Sequence, residues 1–232
     1  MRNLLLFLAA TTTTVLTATS CSRSSSPAPD NGCIQRIVIK QSDAGLSPEH
    51  TRTADSLFDV NHIDHRNYRY YAFQSDTFQT LYSPFKKYDE KVIRLDQYVN
   101  GLRIFNGEIN YIFWDGALHY IAGKPIQSAN LDTISSLSLR RLRTMFTSEL
   151  LRPGANVTPG FTDSCYKAEF GYFNLSNDLE PQNLVKAWRV TINYSSASWY
   201  APYGYGYPYD GYPAAYYKDN GQLIGFAGNI IN

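Results

Sequence analysis

The chain of 232 residues is predicted to fold as α+β, with mostly antiparallel sheets each packed against a helix. Three observations point there. Two stretches carry apolar residues at helical spacing, each is followed by runs rich in Tyr, Phe, Val and Ile, and Asp-Gly or Asp-Asn-Gly turns interrupt two of those runs. The resulting order of strand, helix, strands, helix, strands suggests two similar substructures in tandem. With 44% hydrophobic, 18% charged and 15% aromatic side chains, the chain can bury one sizeable core or two small ones, which excludes disorder for most of it. Lys and Arg total 21 against 20 Asp and Glu, a balance without the broad basic footprint of a nucleic-acid binder. No nucleic-acid partner is expected.

Met1-Arg2-Asn3 places one cation ahead of the apolar run Leu4 to Ala10, and small residues lead on to Cys21. This run is too short and too rich in Thr to span a bilayer, and no longer one follows, which excludes a polytopic membrane protein. Ala18-Thr19-Ser20-Cys21 resembles a bacterial lipobox, with Ala18 where Leu is usual. The resemblance implies a signal peptide over residues 1–20, a diacylated Cys21 and a Ser/Pro-rich tether over 21–32, in a protein held at the cell envelope by lipid. An ordinary secretory signal with Cys21 free is the alternative. Cys33 and Cys165 remain, and in an oxidising compartment they either pair or stay as separate buried thiols.

Cys33 to Lys40 reads as a strand. Ser47-Pro48-Glu49 is a helix start, with Ala54, Leu57 and Phe58 on one face and an end before Asn61. Tyr68 to Phe73 suggests the next strand and Phe78 to Tyr88 a looser connection around Pro84. Val92 to Val99 is strand-like, Asn100-Gly101 turns the chain, and Ile104-Phe105 is again extended. Glu108 to Trp114 and Ala117 to Ala122 flank Asp115-Gly116, a hairpin signal because both central residues of a type I′ turn need positive φ. Leu137 to Leu151 has helical spacing and stops at Pro153-Gly154. Its Arg140, Arg141 and Arg143 read as a solvated face. Cys165 to Leu175, Leu184 to Tyr194, Ala215 to Tyr217 and Gln222 to Phe226 complete the strands, the last two joined at Asp219-Asn220-Gly221.

Arg94, Gln97, Gly101, Phe105, Gly107 and Glu108, followed by the Asp115-Gly116 hairpin, resemble the fungalysin/thermolysin propeptide domain, with Arg103 where that family usually has Pro and Ile104 where it has Val. Ala187-Trp188-Arg189-Val190 together with Asp219 and Gly221 resembles a PepSY-type unit. The resemblance implies a propeptide-like module over 33–130 and a PepSY-like module over 131–232, arranged as in secreted metallopeptidase precursors, where such modules inhibit the enzyme and assist its folding. No His-Glu-x-x-His occurs before the sequence reaches Asn232, so the expectation is pro-modules that act in trans, on a secreted metallopeptidase or another envelope protein.

Catalytic signals are weak. His62-x-x-His65 lacks partner ligands and reads as a surface loop; Asp96, Glu108 and Glu169 are isolated carboxylates; phosphate-binding and nucleophile-elbow motifs are missing. The expectation is a non-enzymatic protein without cofactor or metal. A second reading is a surface module that binds glycan or peptide through the Tyr/Gly/Pro-rich stretch 198–213, which displays Trp199, Tyr200, Tyr203, Tyr205, Tyr207, Tyr209 and Tyr212 as stiff amphipathic rings. A third is a structural envelope lipoprotein.

Overall fold

A computed structural model describes residues 32–126, 130–155, 165–176, 182–192 and 213–227. The expected signal peptide, Cys21, the tether as far as Asn31 and the aromatic residues Trp199 to Tyr212 lie outside the described residues. The first helix, α1, spans Pro48–Val60. Its Ser47 cap accepts a hydrogen bond from the His50 amide, Pro48 fills a position that needs no donor, and Glu49 lies at the positive end of the helix dipole. Ala54 and Phe58, one turn apart, are fully buried. Asn61 then ends the helix, and its side chain donates to the carbonyls of Leu57 and Gly116 while accepting from the Leu118 amide.

That contact ties α1 to the sheet that follows it. β2 (Tyr68–Gln79), β3 (Lys87–Val99), β5 (Ile109–Trp114) and β6 (Ala117–Ala122) form an antiparallel meander in that order, and the short β4 (Leu102–Arg103) folds back on the end of β3. Strict alternation along β5 turns Ile109, Tyr111 and Phe113 toward α1, where they close one core with Ala54, Phe58, Ile93 and Leu95. Asp115 and Gly116, at φ 49° and 82°, make the expected tight hairpin.

The second half repeats the sequence of elements. α2 (Leu139–Leu150) is capped by Ser138, and β7 (Tyr166–Asn174), β8 (Leu184–Ile192), β9 (Ala214–Lys218) and β10 (Leu223–Ala227) form a second antiparallel meander. Leu142, Phe146 and Leu150 from α2 pack with Tyr166, Phe170, Trp188 and Val190 in a second core. The α+β class with a helix against each antiparallel sheet is thus what the chain forms. One strand crosses over: β1 (Ile34–Ile37) pairs in parallel with β7, so the segment that precedes the first half adds an edge to the sheet of the second. The described residues belong to one unit by their contacts.

Three local expectations need correction. The connection expected over Phe78 to Tyr88 is only 80–86, because Phe78 and Tyr88 pair across the strands and both stack on Trp114, which extends the ladder up to the loop that holds Pro84. The strand expected over Cys33 to Lys40 is shorter: among the described residues it pairs with β7 along Ile34–Ile37. Arg143, read as solvated, is 5% exposed and lies 4.4 Å from the centre of the Tyr166 ring. It occupies the position between Leu139 and Phe146 on the apolar stripe of α2, and its guanidinium is received by that ring and by the Cys33 carbonyl at 3.2 Å.

Candidate functional site

The segment from Arg94 to Glu108 forms the joint between the two sheets. Gln97 is 1% exposed and uses both ends of its amide: Nε2 donates to the carbonyls of Gly107 (2.6 Å) and Lys124 (3.0 Å), and Oε1 accepts from the Ile126 amide (2.7 Å). One side chain therefore fixes the end of β3 against the approach to β5 and the exit of β6. Asn100 and Gly101, at φ 52° and 76°, reverse the chain into β4. Beyond it, Ile104 bridges Tyr172 of β7, the Phe105 amide donates to the Tyr172 carbonyl at 2.9 Å, and Asn106 exchanges hydrogen bonds with the backbone of Asn174. Val99, Ile104, Ile126 and Tyr172 make a third, smaller core there.

Arg103 is the electrostatic centre of this joint. Its guanidinium donates to Glu169 of β7 at 2.8 Å and reaches Asp96 of β3 at 3.5 Å; Arg69 of β2 donates to the same Asp96 oxygen at 3.1 Å. Asp96 and Glu169 thus flank one cation, an arrangement that a Pro at 103 would lack. Burial pushes the Glu169 carboxyl up, opposed by the guanidiniums of Arg103 and Arg189. Burial disfavours the charge on Arg103, but Glu169 and Asp96 hold its proton above the usual range.

Arg94 and Glu108 do not join this network. Arg94 pairs across the strands with Ala72 and Asn110, on the sheet face opposite the Ile93 and Leu95 that meet α1. Glu108 is close to Tyr71, whose phenol is pushed well above its ordinary range, first by burial and then by that carboxylate. Phe105 meets Tyr216 of β9 at 5.8 Å between ring centres, and the space left by Gly107 is filled by the Ile104 side chain.

In the second half, Asp219 is the corresponding fixed point. It accepts from the Trp188 indole at 3.0 Å, from the Ser136 hydroxyl and amide at 2.6 and 2.7 Å, and from the Leu137 amide at 3.3 Å. Burial alone would raise its pKa, yet the hydrogen bonds from Ser136, then Trp188 and Leu137, hold the carboxyl below the usual range. The β9–β10 turn, closed at Gly221 with φ 95°, is thereby pinned to the residues that lead into α2.

The structure therefore gathers Gln97, Gly101, Phe105, Gly107, Trp188 and Asp219 into joints, while Arg94, Glu108 and the Asp115-Gly116 turn lie outside them. Cys33 and Cys165 form a disulfide. His65 hydrogen-bonds to Tyr70 and sits 3.6 Å from Asp55 and 3.4 Å from Asp59, whereas His62 points to solvent. Among the described residues no group of three His, Cys, Asp or Glu is placed to hold a metal. A shallow depression of about 420 Å³ is lined by Lys40, Gln41, Ser42 and Gly101. Arg69 carried no signal in the sequence, whereas for Arg143, expected on a solvated face, the apolar spacing of α2 pointed to burial. In comparisons with known proteins, no family model matches the chain and no curated protein does.

Proposed function

We propose that this is an exported, lipid-anchored, non-enzymatic protein built from a fungalysin/thermolysin propeptide-like module and a PepSY-like module, and that it acts in trans on a secreted metallopeptidase as inhibitor or folding helper. The observation that carries this reading is the repetition of one plan: each helix is followed by a four-stranded antiparallel meander, α1 by β2-β3-β5-β6 and α2 by β7-β8-β9-β10. Gln97, Gly101, Phe105 and Gly107 in the first half and Trp188, Asp219 and Gly221 in the second hold the joints of that plan, as pro-module motif residues with a structural role would. The disulfide suits an oxidising compartment outside the cytosol.

The test is an inhibition and refolding assay of the chain from Gly32 onward against zinc endopeptidases of its own source. Slowed peptide cleavage, or a higher refolding yield of the denatured peptidase, is the expected result. No inhibition, no co-purification and no refolding effect would reject the reading.

A further inference from the structure

Among the described residues, three of the large apolar side chains most open to solvent fall in the loop of one hairpin: Leu81, Tyr82 and Phe85, at 81%, 83% and 67% exposure. The outer half of β2, Gln74 to Gln79, is exposed residue after residue, so the β2–β3 hairpin stands clear of the core as a prong. Its root is stiffened by a stack in which Trp114 meets Phe78 at 4.8 Å, Tyr88 at 4.5 Å and His119 at 3.3 Å, with the indole donating to Glu90. The tip is braced internally. Thr80 exchanges backbone and side-chain hydrogen bonds with Lys86 at 2.9 Å, and its hydroxyl reaches the Tyr82 and Pro84 carbonyls. A loop whose polar backbone is turned inward shows Leu81, Tyr82 and Phe85 outward.

Charge is sorted along the same prong. No acid occurs from Thr77 to Lys87, and Lys86 and Lys87, both exposed, follow directly behind the apolar apex. The first acids on the two strands are Asp76 and Asp89. From Phe85 to Lys87 an extended chain covers about 7 Å. An amphipathic surface element buries about 5–10 Å into a bilayer interface, with its cations at the phosphates. We propose that residues 80–87 form a membrane-docking tip, with Leu81, Tyr82 and Phe85 entering the interface of an anionic bilayer and Lys86 and Lys87 meeting lipid phosphates. The order of apex and cations on a convex tip matches the layers of a bilayer and gives a membrane contact separate from any lipid on Cys21.

Flotation of the chain from Ser22 onward tests this without the acyl chains, since that chain retains the whole Gly32–Asn232 unit. Vesicles of phosphatidylcholine alone are compared with vesicles that also contain phosphatidylglycerol. The wild type floats with the anionic vesicles, and the triple change Leu81→Ser, Tyr82→Ser, Phe85→Ser lowers partitioning by about tenfold or more. Lys86→Glu with Lys87→Glu removes the preference for anionic lipid. Unchanged near-ultraviolet circular dichroism confirms that each variant is folded, and in Tyr82→Trp the indole emission shifts to the blue on addition of anionic vesicles. A wild type that does not float, or variants that float equally well, would overturn the proposal. So would tip substitutions that spare flotation and abolish peptidase inhibition, which would make the tip a protein contact.

Discussion

Gln97 and Asp219 each satisfy several buried or half-buried groups with one short side chain, so each is worth more than its own contacts suggest. Gln97→Ala removes its hydrogen bonds to the Gly107 and Lys124 carbonyls and from the Ile126 amide, those of Gly107 and Ile126 being buried; at roughly 1–3 kcal/mol per buried group, partly relaxed, a loss of about 2–4 kcal/mol is expected in urea unfolding. Asp219 adds a pH dependence. Its folded pKa lies below the unfolded value, so its stabilisation is fully present above about pH 4 and is lost as the pH falls through the folded pKa. Asp219→Asn keeps the shape and removes the charge. Wild type and variant are therefore expected to differ at neutral pH and to converge in acid, as thermal unfolding between neutral pH and pH 2 will measure; a constant difference would assign the effect to packing alone.

Two glycines separate turn conformation from close approach between elements. At Gly116, φ is 82° and nothing lies near the missing Cβ, so Gly116→Ala costs only the left-handed backbone, about 1 kcal/mol. At Gly171 of β7 a Cβ would fall 2.4 Å from the Arg103 carbonyl of β4 and 2.9 Å from the Phe105 ring. Backbone cannot swing aside like a side chain, so Gly171→Ala belongs at the upper end of the ~1–3 kcal/mol of overpacking and loosens the joint; chemical denaturation of both variants ranks them. This contrast also marks what was legible in the sequence. Asp115-Gly116, the Ser47-Pro48 start and the apolar stripe of α2 are local signals, and the corresponding turn and helices stand where these place them. The length of the β2–β3 prong rests on Trp114, and the role of Arg103 rests on a glutamate 66 residues away. Neither partner is visible from local spacing, so the candidate site was legible as a motif segment but not as a joint.

Across the whole molecule the Cys33–Cys165 bridge spans a sequence separation of 132, enclosing β1, the entire first helix and sheet, and α2. Loop-closure entropy for a ring of that size is worth about 5 kcal/mol, and measured disulfides more often give about 2–4 kcal/mol. Cys33→Ser with Cys165→Ser is expected to lower the calorimetric melting temperature accordingly, and a variant that melts with the wild type would show that β1 and Arg143 hold the edge of β7 unaided. The bridge has a mechanical consequence as well. Tension entering at Gly32 passes from Cys33 through the sulfurs to Cys165 and on into β7, bypassing every residue between. While oxidised, the first sheet and its prong are carried as a ring outside the covalent path of the load, and a pull on the start of the chain enters β7 and the strands that follow it.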